Sequence, residues 1–480
     1  MIGSKAELSN ISAFLQTKHF CMFKGEKKMK KSMLLVVSML MVLGMLLSAC
    51  QPAAPAPAEP AAPAEPAAPA EPAAPAEPAA PAQPTEAAAP AEPAKEEGPK
   101  NAGLQMDAAK VAPQFFNDAD FEESLKLMKQ APLNPDAPIY LQYLIENPVD
   151  TTQFKKDPPY NICFSNAGVN NPWRVVGYIT MREQVEELRE KGLIKNFIHV
   201  DAQGKDEKQI ADIEDLIATK GKCDLLIVSP NTSEALTPAV EKACASGLPV
   251  VVFDRGVLTD CPTVFEKTIG GYAFGISGAQ FIVDNLPNGG KVLAFRILPG
   301  VDVLEQRWGA ARKIFEQAKN IDVVGVEFDD YNTQKTNTIV RDYIDRFGYI
   351  DAIWMDAGGP AVGALEAYQD LGLPFPVMVG EDQNDYLKFW KENNLTAIAP
   401  TFPTFQWRTA VLASVMILQG ETVQKRWVLP QPDVTQENLD KYYNPEMPPL
   451  HYALCGAEDM KNWPDAWKNP DTTKYVDVLE

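Results

Sequence analysis

Between residues 160 and 380, short apolar runs alternate with amphipathic stretches of helical length, and that rhythm leaves few folds open. Runs such as 225–228 and 250–253 show no polar alternation, so they suit strands covered on both faces, the setting of a parallel sheet. Residues 160–164, 197–200, 225–228 and 250–253 read as a first series of strands. Helices are expected over 173–191, 206–220 and 233–246, the last stopped by Gly247 and Pro249. A second series of strands reads at 291–295, 323–328, 352–355 and 377–380, with helices near 274–285, 303–318, 336–347, 361–371 and 384–392. Repeated βα units predict an α/β fold of two doubly wound, Rossmann-like lobes in tandem.

The first hundred residues follow another logic. Lys24, Lys27, Lys28, Lys30 and Lys31 precede an uncharged stretch at 33–47, which is too short to favour a permanent membrane span. It ends in Leu47-Ser48-Ala49-Cys50, which resembles a lipobox, so residues 1–50 are expected to be an upstream extension plus a lipoprotein signal peptide. Translation would start at Met22 or Met29, and Cys50 would carry a diacylglycerol thioether as the new N-terminus. Residues 51–100 are expected to be a disordered Pro/Ala/Glu-rich linker. Proline recurs every third residue from Pro57 to Pro84, and Glu59, Glu65, Glu71 and Glu77 fall six apart. Three residues per polyproline II turn put these glutamates on one face, and full extension would reach on the order of 100 Å.

Charge and rare residues narrow the function. The formal net charge is −20, and removal of the basic leader makes the exported part more acidic, which argues against nucleic acid and anionic lipid as partners. Only His199 and His451 follow the leader, and no Cys-x-x-Cys exists, so no metal or other cofactor is expected. Cys163, Cys223, Cys244, Cys261 and Cys455 show no framework spacing. Most are expected to pack as small apolar residues, with Cys261 and Cys455, in polar context, open to a disulfide. Residues 101–157 read as an N-terminal arm with one helix near 118–129. The absence of a helix-turn-helix pattern before Tyr160, together with the export signal, excludes a repressor.

In open α/β sheets ligands bind beyond the carboxyl ends of the strands. There the sequence places Asn170-Asn171-Pro172-Trp173-Arg174, Ser229-Pro230-Asn231-Thr232 and Asp254-Arg255-Gly256 in the first lobe. The second lobe supplies Pro299-Gly300-Val301-Asp302 leading to Arg307, then Asp330-Tyr331-Asn332, Asp356-Ala357-Gly358-Gly359 and Glu381-Asp382-Gln383-Asn384. Carboxylates, amides and arginine forks match vicinal hydroxyls, and aromatic rings stack on the C–H face of a sugar. Gly358-Gly359-Pro360 lacks the spacing and lysine of a phosphate loop and reads as a turn.

These segments resemble the type I periplasmic binding proteins of the ribose and galactose class over about residues 158–430. The resemblance implies two lobes joined by three crossover strands, near 264–269, 397–401 and 426–430. It places the first lobe at 158–266 with 401–427 returning to it, and the second at 267–400 with 428–455, leaving 456–480 as a C-terminal tail. Carried over by position, Asn171 is a ligand amide, Trp173 a stacking aromatic, Asp254 a hydroxyl-binding carboxylate and Arg255 its neighbouring donor. Arg307, Tyr331 and Asp382 come from the second lobe, and Arg174, Asn231 and Asn384 complete the expected ligand-binding set. Three departures bear on specificity: Arg174 stands where ribose binders usually carry a second aromatic, Ala357-Gly358 where they carry an asparagine, and Glu381 replaces an aromatic. Plain structural roles stand beside each assignment, with Trp173 as a helix staple, Asp254 as a turn former, Arg255 and Arg307 as ion-pair residues, and Tyr331 and Asn384 as loop packing.

The family implies a non-enzymatic receptor that passes a sugar or polyol to an ABC permease and its ATPase, tethered to a membrane through Cys50. A ligand sensor for a receptor kinase or chemoreceptor is the alternative. A secreted glycoside hydrolase would need two carboxylates about 5 to 10 Å apart across a substrate.

Overall fold

The computed structural model describes residues 99–470, so the leader, Cys50, nearly all of the linker and residues 471–480 lie outside the described residues. Residues 99–117 lead into helix α1 (Asp118–Leu127), and the chain reaches the first lobe through β1 (Pro148–Val149). That lobe alternates β2 (Tyr160–Asn166), α2 (Pro172–Glu190), β3 (Ile194–Asp201), α3 (Asp206–Ala218), β4 (Leu225–Ser229), α4 (Ser233–Ala245), β5 (Val250–Phe253) and β6 (Val264–Thr268). The second lobe holds α5 (Gly271–Asn285), β7 (Gly290–Arg296), α6 (Asp302–Gln317), β8 (Ile321–Phe328) and α7 (Thr333–Phe347). It continues with β9 (Ala352–Met355), α8 (Gly358–Asp370), β10 (Val377–Val379), α9 (Asn384–Asn393) and β11 (Ala397–Ile398). The chain then returns through α10 (Gln406–Gln419), β12 (Val423–Gln424) and β13 (Arg426–Leu429).

Both main sheets are wholly parallel, in the orders β13-β6-β5-β4-β2-β3 and β11-β10-β9-β7-β8, while β1 and β12 form a small antiparallel ribbon. Every residue of β4 and β5 is buried, as strands covered on both faces require. β3 begins three residues before the expected 197–200 because Lys195 and Asn196 are exposed: they break the apolar run while the backbone already pairs with β2. Asn171 starts α2 by accepting the Arg174 N–H at 2.9 Å, with Pro172 in the first turn, and Asn332 caps α7 in the same way through Lys335.

Three segments cross between lobes: β6 into α5, β11 into α10, and β13 into the C-terminal segment. The Gln431 side chain joins all three. Its Oε1 accepts the Gly270 N–H at 2.8 Å, and its Nε2 donates to the carbonyls of Gly270 at 3.3 Å and Thr401 at 2.7 Å. Thr401 Oγ1 donates back to Pro432 O at 2.7 Å, and Ala399 bridges Val434.

The N-terminal arm begins on the second lobe. Arg296 and Trp308 donate to the carbonyls of Ala108, Ala109 and Lys110, and Leu104 and Ala109 join that lobe's core. The arm then packs α1 on α5 through Phe116, Phe121 and Tyr272. It ends on the first lobe, where Leu144 bonds to Val428 O and the Tyr140 ring lies 3.7 Å from the Arg408 guanidinium. The C-terminal segment makes a similar passage. Asn384 holds the carbonyls of Asn444 and Met447, and farther along Trp467 reaches Thr180 on α2.

The cysteines require a correction. Cys163 pairs with Cys223 and Cys244 with Cys261, so Cys163, Cys223 and Cys244 are bridged rather than merely packed, and Cys455 is free and buried. The neighbouring register of β2 and β4 brings Cys163 and Cys223 to a Cα separation of 5.6 Å across 60 residues, which no local spacing reveals. Both bridges lie in the first lobe. By loop-closure entropy they contribute about 4 and about 3 kcal/mol for the longer and shorter loops. Non-reducing peptide mapping should recover these two cross-linked pairs, and dithiothreitol should lower the denaturant midpoint; separate cysteine peptides before reduction would refute the pairing.

Candidate functional site

Because all strands of a parallel sheet point the same way, each lobe delivers its polar loops to one edge, and the two edges meet in a cleft of about 420 Å³. The first lobe lines it with Asn170 to Arg174 and with Asp254 and Arg255. The second lobe adds Leu298, Val301, Arg307, Asp330, Tyr331 and Glu381, and Phe402 and Tyr452 close it.

On the first-lobe side Arg174 is buried and fixed. Its Nη2 donates to Asp254 Oδ2 at 2.6 Å, and its Nη1 donates to Asn166 Oδ1 at 3.1 Å and Ser229 Oγ at 3.3 Å. Burial lowers the Arg174 guanidinium to about 10, although the Asp254 charge opposes that shift, so it stays charged at neutral pH. Asp254 sits at φ 69°, a left-handed conformation that aspartate tolerates, and with Oδ2 committed to Arg174 its Oδ1 has no hydrogen-bond partner among the described residues. Arg255 donates through Nη1 to Asn231 O, its other guanidinium nitrogens have no hydrogen bond among the described residues, and its charge acts on Asp302. Trp173 stands against Phe402 at a ring separation of 5.5 Å and anchors its indole N–H on Phe402 O at 2.6 Å.

On the second-lobe side Arg307 donates to Asp356 Oδ1 at 3.2 Å, Asp356 O at 2.8 Å and Glu381 Oε1 at 3.0 Å, and its guanidinium lies 4.0 Å from the Phe274 ring centroid. Burial would lower the Arg307 pKa, but the Glu381 and Asp356 charges hold it above the ordinary value. Burial raises Glu381 and pushes Asp356 up to about 7, with Arg307 opposing in both cases. Glu381 Oε2 accepts from Tyr452 Oη at 3.1 Å, and the Tyr452 and Tyr331 hydroxyls meet at 3.0 Å. Each lobe thus presents an arginine locked by carboxylates, beside aromatic walls. Among the described residues no group of His, Cys, Asp and Glu is placed to hold a metal ion.

Of the expected set, Asn171, Trp173, Arg174, Asp254, Arg255, Arg307 and Tyr331 come together in this cleft. Three do not. Asp382 is buried away from it and accepts the Leu454 N–H at 2.8 Å, because successive residues of extended backbone face opposite sides and Glu381 takes the inward position. Asn384 spends its amide on the C-terminal segment, and Asn231 spends its own on Gly204 and Asp206, so it lines an adjoining cavity instead. Glu381, Phe402 and Tyr452 were missed. Glu381 stood out as a departure beside Asp382, whereas Tyr452, from the C-terminal segment, carried no local signal. Gly358 is explained by packing, since a Cβ there would lie 2.5 Å from Gln383 Cβ.

The family model of the periplasmic binding protein domain matches residues 162–422. The ribose import binding protein of Bacillus subtilis (strain 168) is 30% identical over 269 residues, 55% of this chain and 84% of that protein. The ribose import binding protein of Haemophilus influenzae is 23% identical over 265 residues, 55% of this chain and 88% of that protein. An ABC transporter solute binding protein from Thermobispora bispora aligns with TM-score 0.54 at 22% identity, over 61% of this chain and 90% of that one. Another, from Bacillus halodurans with bound myo-inositol, gives 0.52 at 22% identity, over 58% and 96%. These two likenesses bear on the fold. The arm before residue 162 and the segment after 422 lie outside the matched domain.

Two carboxylates should respond differently to substitution. Asp254→Ala strands a buried guanidinium and should cost on the order of 3 to 5 kcal/mol in chemical denaturation, whereas Asp254→Asn should cost less. Asp382 is pushed up to about 7 by burial and by the Glu381 charge, so its protonation stabilises the fold at low pH and that contribution is lost as pH rises through about 7. Asp382→Asn should therefore flatten the fall in stability between about pH 4 and 7; an unchanged slope would refute this assignment.

Proposed function

The chain belongs to the periplasmic binding protein domain family, and from that premise we propose that it is an extracytoplasmic, lipid-anchored receptor that captures a sugar or sugar-like polyol and delivers it to an ABC permease powered by an ATPase. The observation that carries this reading is the cleft itself, where charged arrays fixed by their own lobes, Arg174 with Asp254 and Arg307 with Glu381, border one cavity with Trp173, Tyr331 and Phe402 as its walls. Fixed donors and acceptors hold hydroxyls without reorganising, and aromatic walls suit the C–H faces of a pyranose or cyclitol. Relatives named for ribose support the class, whereas Arg174 and Glu381 depart from the ribose pattern and favour a hexose or cyclitol over ribose itself. Two disulfides accord with an oxidising compartment.

Holding, rather than cleavage, is what the carboxylates support. Asp254 and Glu381 each sit in an ion pair with an arginine of their own lobe, so both carboxylates serve to position fixed donors at the cleft. Closure of the lobes follows from differential affinity for the closed form. Ligand bound to Asp254 and Arg255 on one side and to Glu381 and Tyr331 on the other would bridge the two lobes.

In a thermal-shift and calorimetric screen of the purified chain against monosaccharides and cyclitols, a ligand at one hundred times its dissociation constant should add about 2.7 kcal/mol of stability. It should be recovered chemically unaltered, and Trp173→Ala should weaken it by about tenfold or more, the loss of roughly 1.4 kcal/mol of contact. Binding of no sugar or polyol, or recovery of a cleaved product, would overturn the proposal. For the anchor, Cys50→Ser should abolish incorporation of a fatty-acid probe and release the protein from membranes; retained labelling would place the lipid elsewhere.

A further inference from the structure

We propose that the cleft continues into a second saccharide subsite, so that the ligand is an oligosaccharide with its terminal unit in the first cleft and the next unit in the second. The inference rests on the sugar-binding reading of the first cleft and extends it.

A second cavity of about 820 Å³ lies against the first, and Arg255 and Val301 line both. A ligand filling the first cleft therefore meets open space past these two residues rather than a wall. The first lobe contributes Ser233 and Leu258, and the second contributes Asp302 and Gln306. Gln114 and Phe115 come from the N-terminal arm, outside the matched domain.

The boundary between the cavities is rigid. Gly300, at φ 77°, donates its N–H to Glu305 Oε1 at 2.8 Å, and Glu305 is itself held by the buried Arg296 at 2.8 Å, which fixes the loop carrying Val301. Ser233 Oγ donates to Asp302 Oδ2 at 3.2 Å, a direct bond from one lobe to the other beside the cavity. Phe115 is fixed as well: the Tyr272 hydroxyl donates to its carbonyl at 3.1 Å and accepts the Asn117 N–H at 3.0 Å.

The lining of this second space combines apolar faces and amides with the charged groups Glu234, Arg255 and Asp302, a set that suits a hydroxylated ring. Phe115 and Leu258, the latter 72% exposed, offer apolar faces, and among the described residues the side-chain amides of Gln114 and Gln306 have no hydrogen-bond partner. Arg255 lines the cavity, and among the described residues only its Nη1 is hydrogen-bonded. Amide donors and acceptors beside apolar platforms suit a hydroxylated ring, whereas a fatty or aromatic appendage would leave the amides and the guanidinium unsatisfied. A single monosaccharide in the first cleft would use none of the groups that lie past Arg255 and Val301.

Calorimetry on the purified full chain with matched probes tests the extension: D-glucose against maltose and cellobiose, D-galactose against lactose and melibiose, D-xylose against xylobiose, and myo-inositol against galactinol. At least one disaccharide or galactoside should bind about thirtyfold tighter than the smaller sugar it contains, roughly 2 kcal/mol. Phe115→Ala, Gln306→Ala and Leu258→Ala should each weaken that ligand by about fivefold to tenfold, roughly 1 to 1.4 kcal/mol, and leave the smaller sugar unchanged. Leu258 is exposed enough that its variant cannot threaten the fold, and the larger ligand alone should slow hydrogen exchange at residues 231–235. If a monosaccharide or inositol binds as tightly as every larger ligand containing it, or if the three variants change nothing, the extension is overturned while the first cleft stands. Absence of binding by every probe overturns both.

Discussion

One amide side chain fixes the geometry on which a two-lobed receptor depends. Gln431 bonds to Gly270 and Thr401 from its own crossover, so the three connecting segments are gathered at one point instead of acting as separate linkers. Gathered connections let two lobes rotate about a shared axis while resisting sliding and shear. That arrangement keeps the strand ends of the two sheets opposed, and the cleft exists only because they are opposed. The buried arginines add to this order: each is neutralised within its own lobe, so neither lobe needs the other to satisfy its charges.

How much of this could be seen in the sequence depends on the distance over which each feature is encoded. Apolar runs such as 225–228 and 250–253 became strands because a doubly covered parallel strand needs an unbroken apolar segment, which is a local pattern. The loops after those strands were equally visible, and so Asn171, Trp173, Asp254, Arg307 and Tyr331 were found where strand ends converge. The choice between Glu381 and Asp382 was not visible, since it turns on a one-residue alternation in the extended backbone after β10. Tyr452 reaches Glu381 across 71 positions and Tyr140 reaches Asp459 across 319, and contacts of that span leave no periodicity to read. The cysteine bridges failed to show for the same reason, being set by strand order and not by spacing.

The segments flanking the matched domain do more than decorate it. The arm buries Leu104 and Ala109 in the second lobe, lays α1 across α5, and reaches the first lobe at Tyr140 and Leu144. The C-terminal segment supplies Tyr452 to the cleft and then packs Met460 and Trp467 against Val176 and Ile179 of α2. Both therefore add contacts at the hinge and at the cleft margins that the domain alone would lack. A pocket whose walls include residues from outside the domain need not share the preferences of relatives that match the domain only.

Five links rather than three also change the kinetics such a receptor would show. Opening the lobes must flex the arm where it packs on Ile269, Ala273 and Val428, and must strain the C-terminal passage beside α2. Work done against those contacts raises the barrier to opening, and escape of a trapped molecule waits on opening. A doubly strapped clasp would thus let go slowly, its dwell time set by how often both straps yield together.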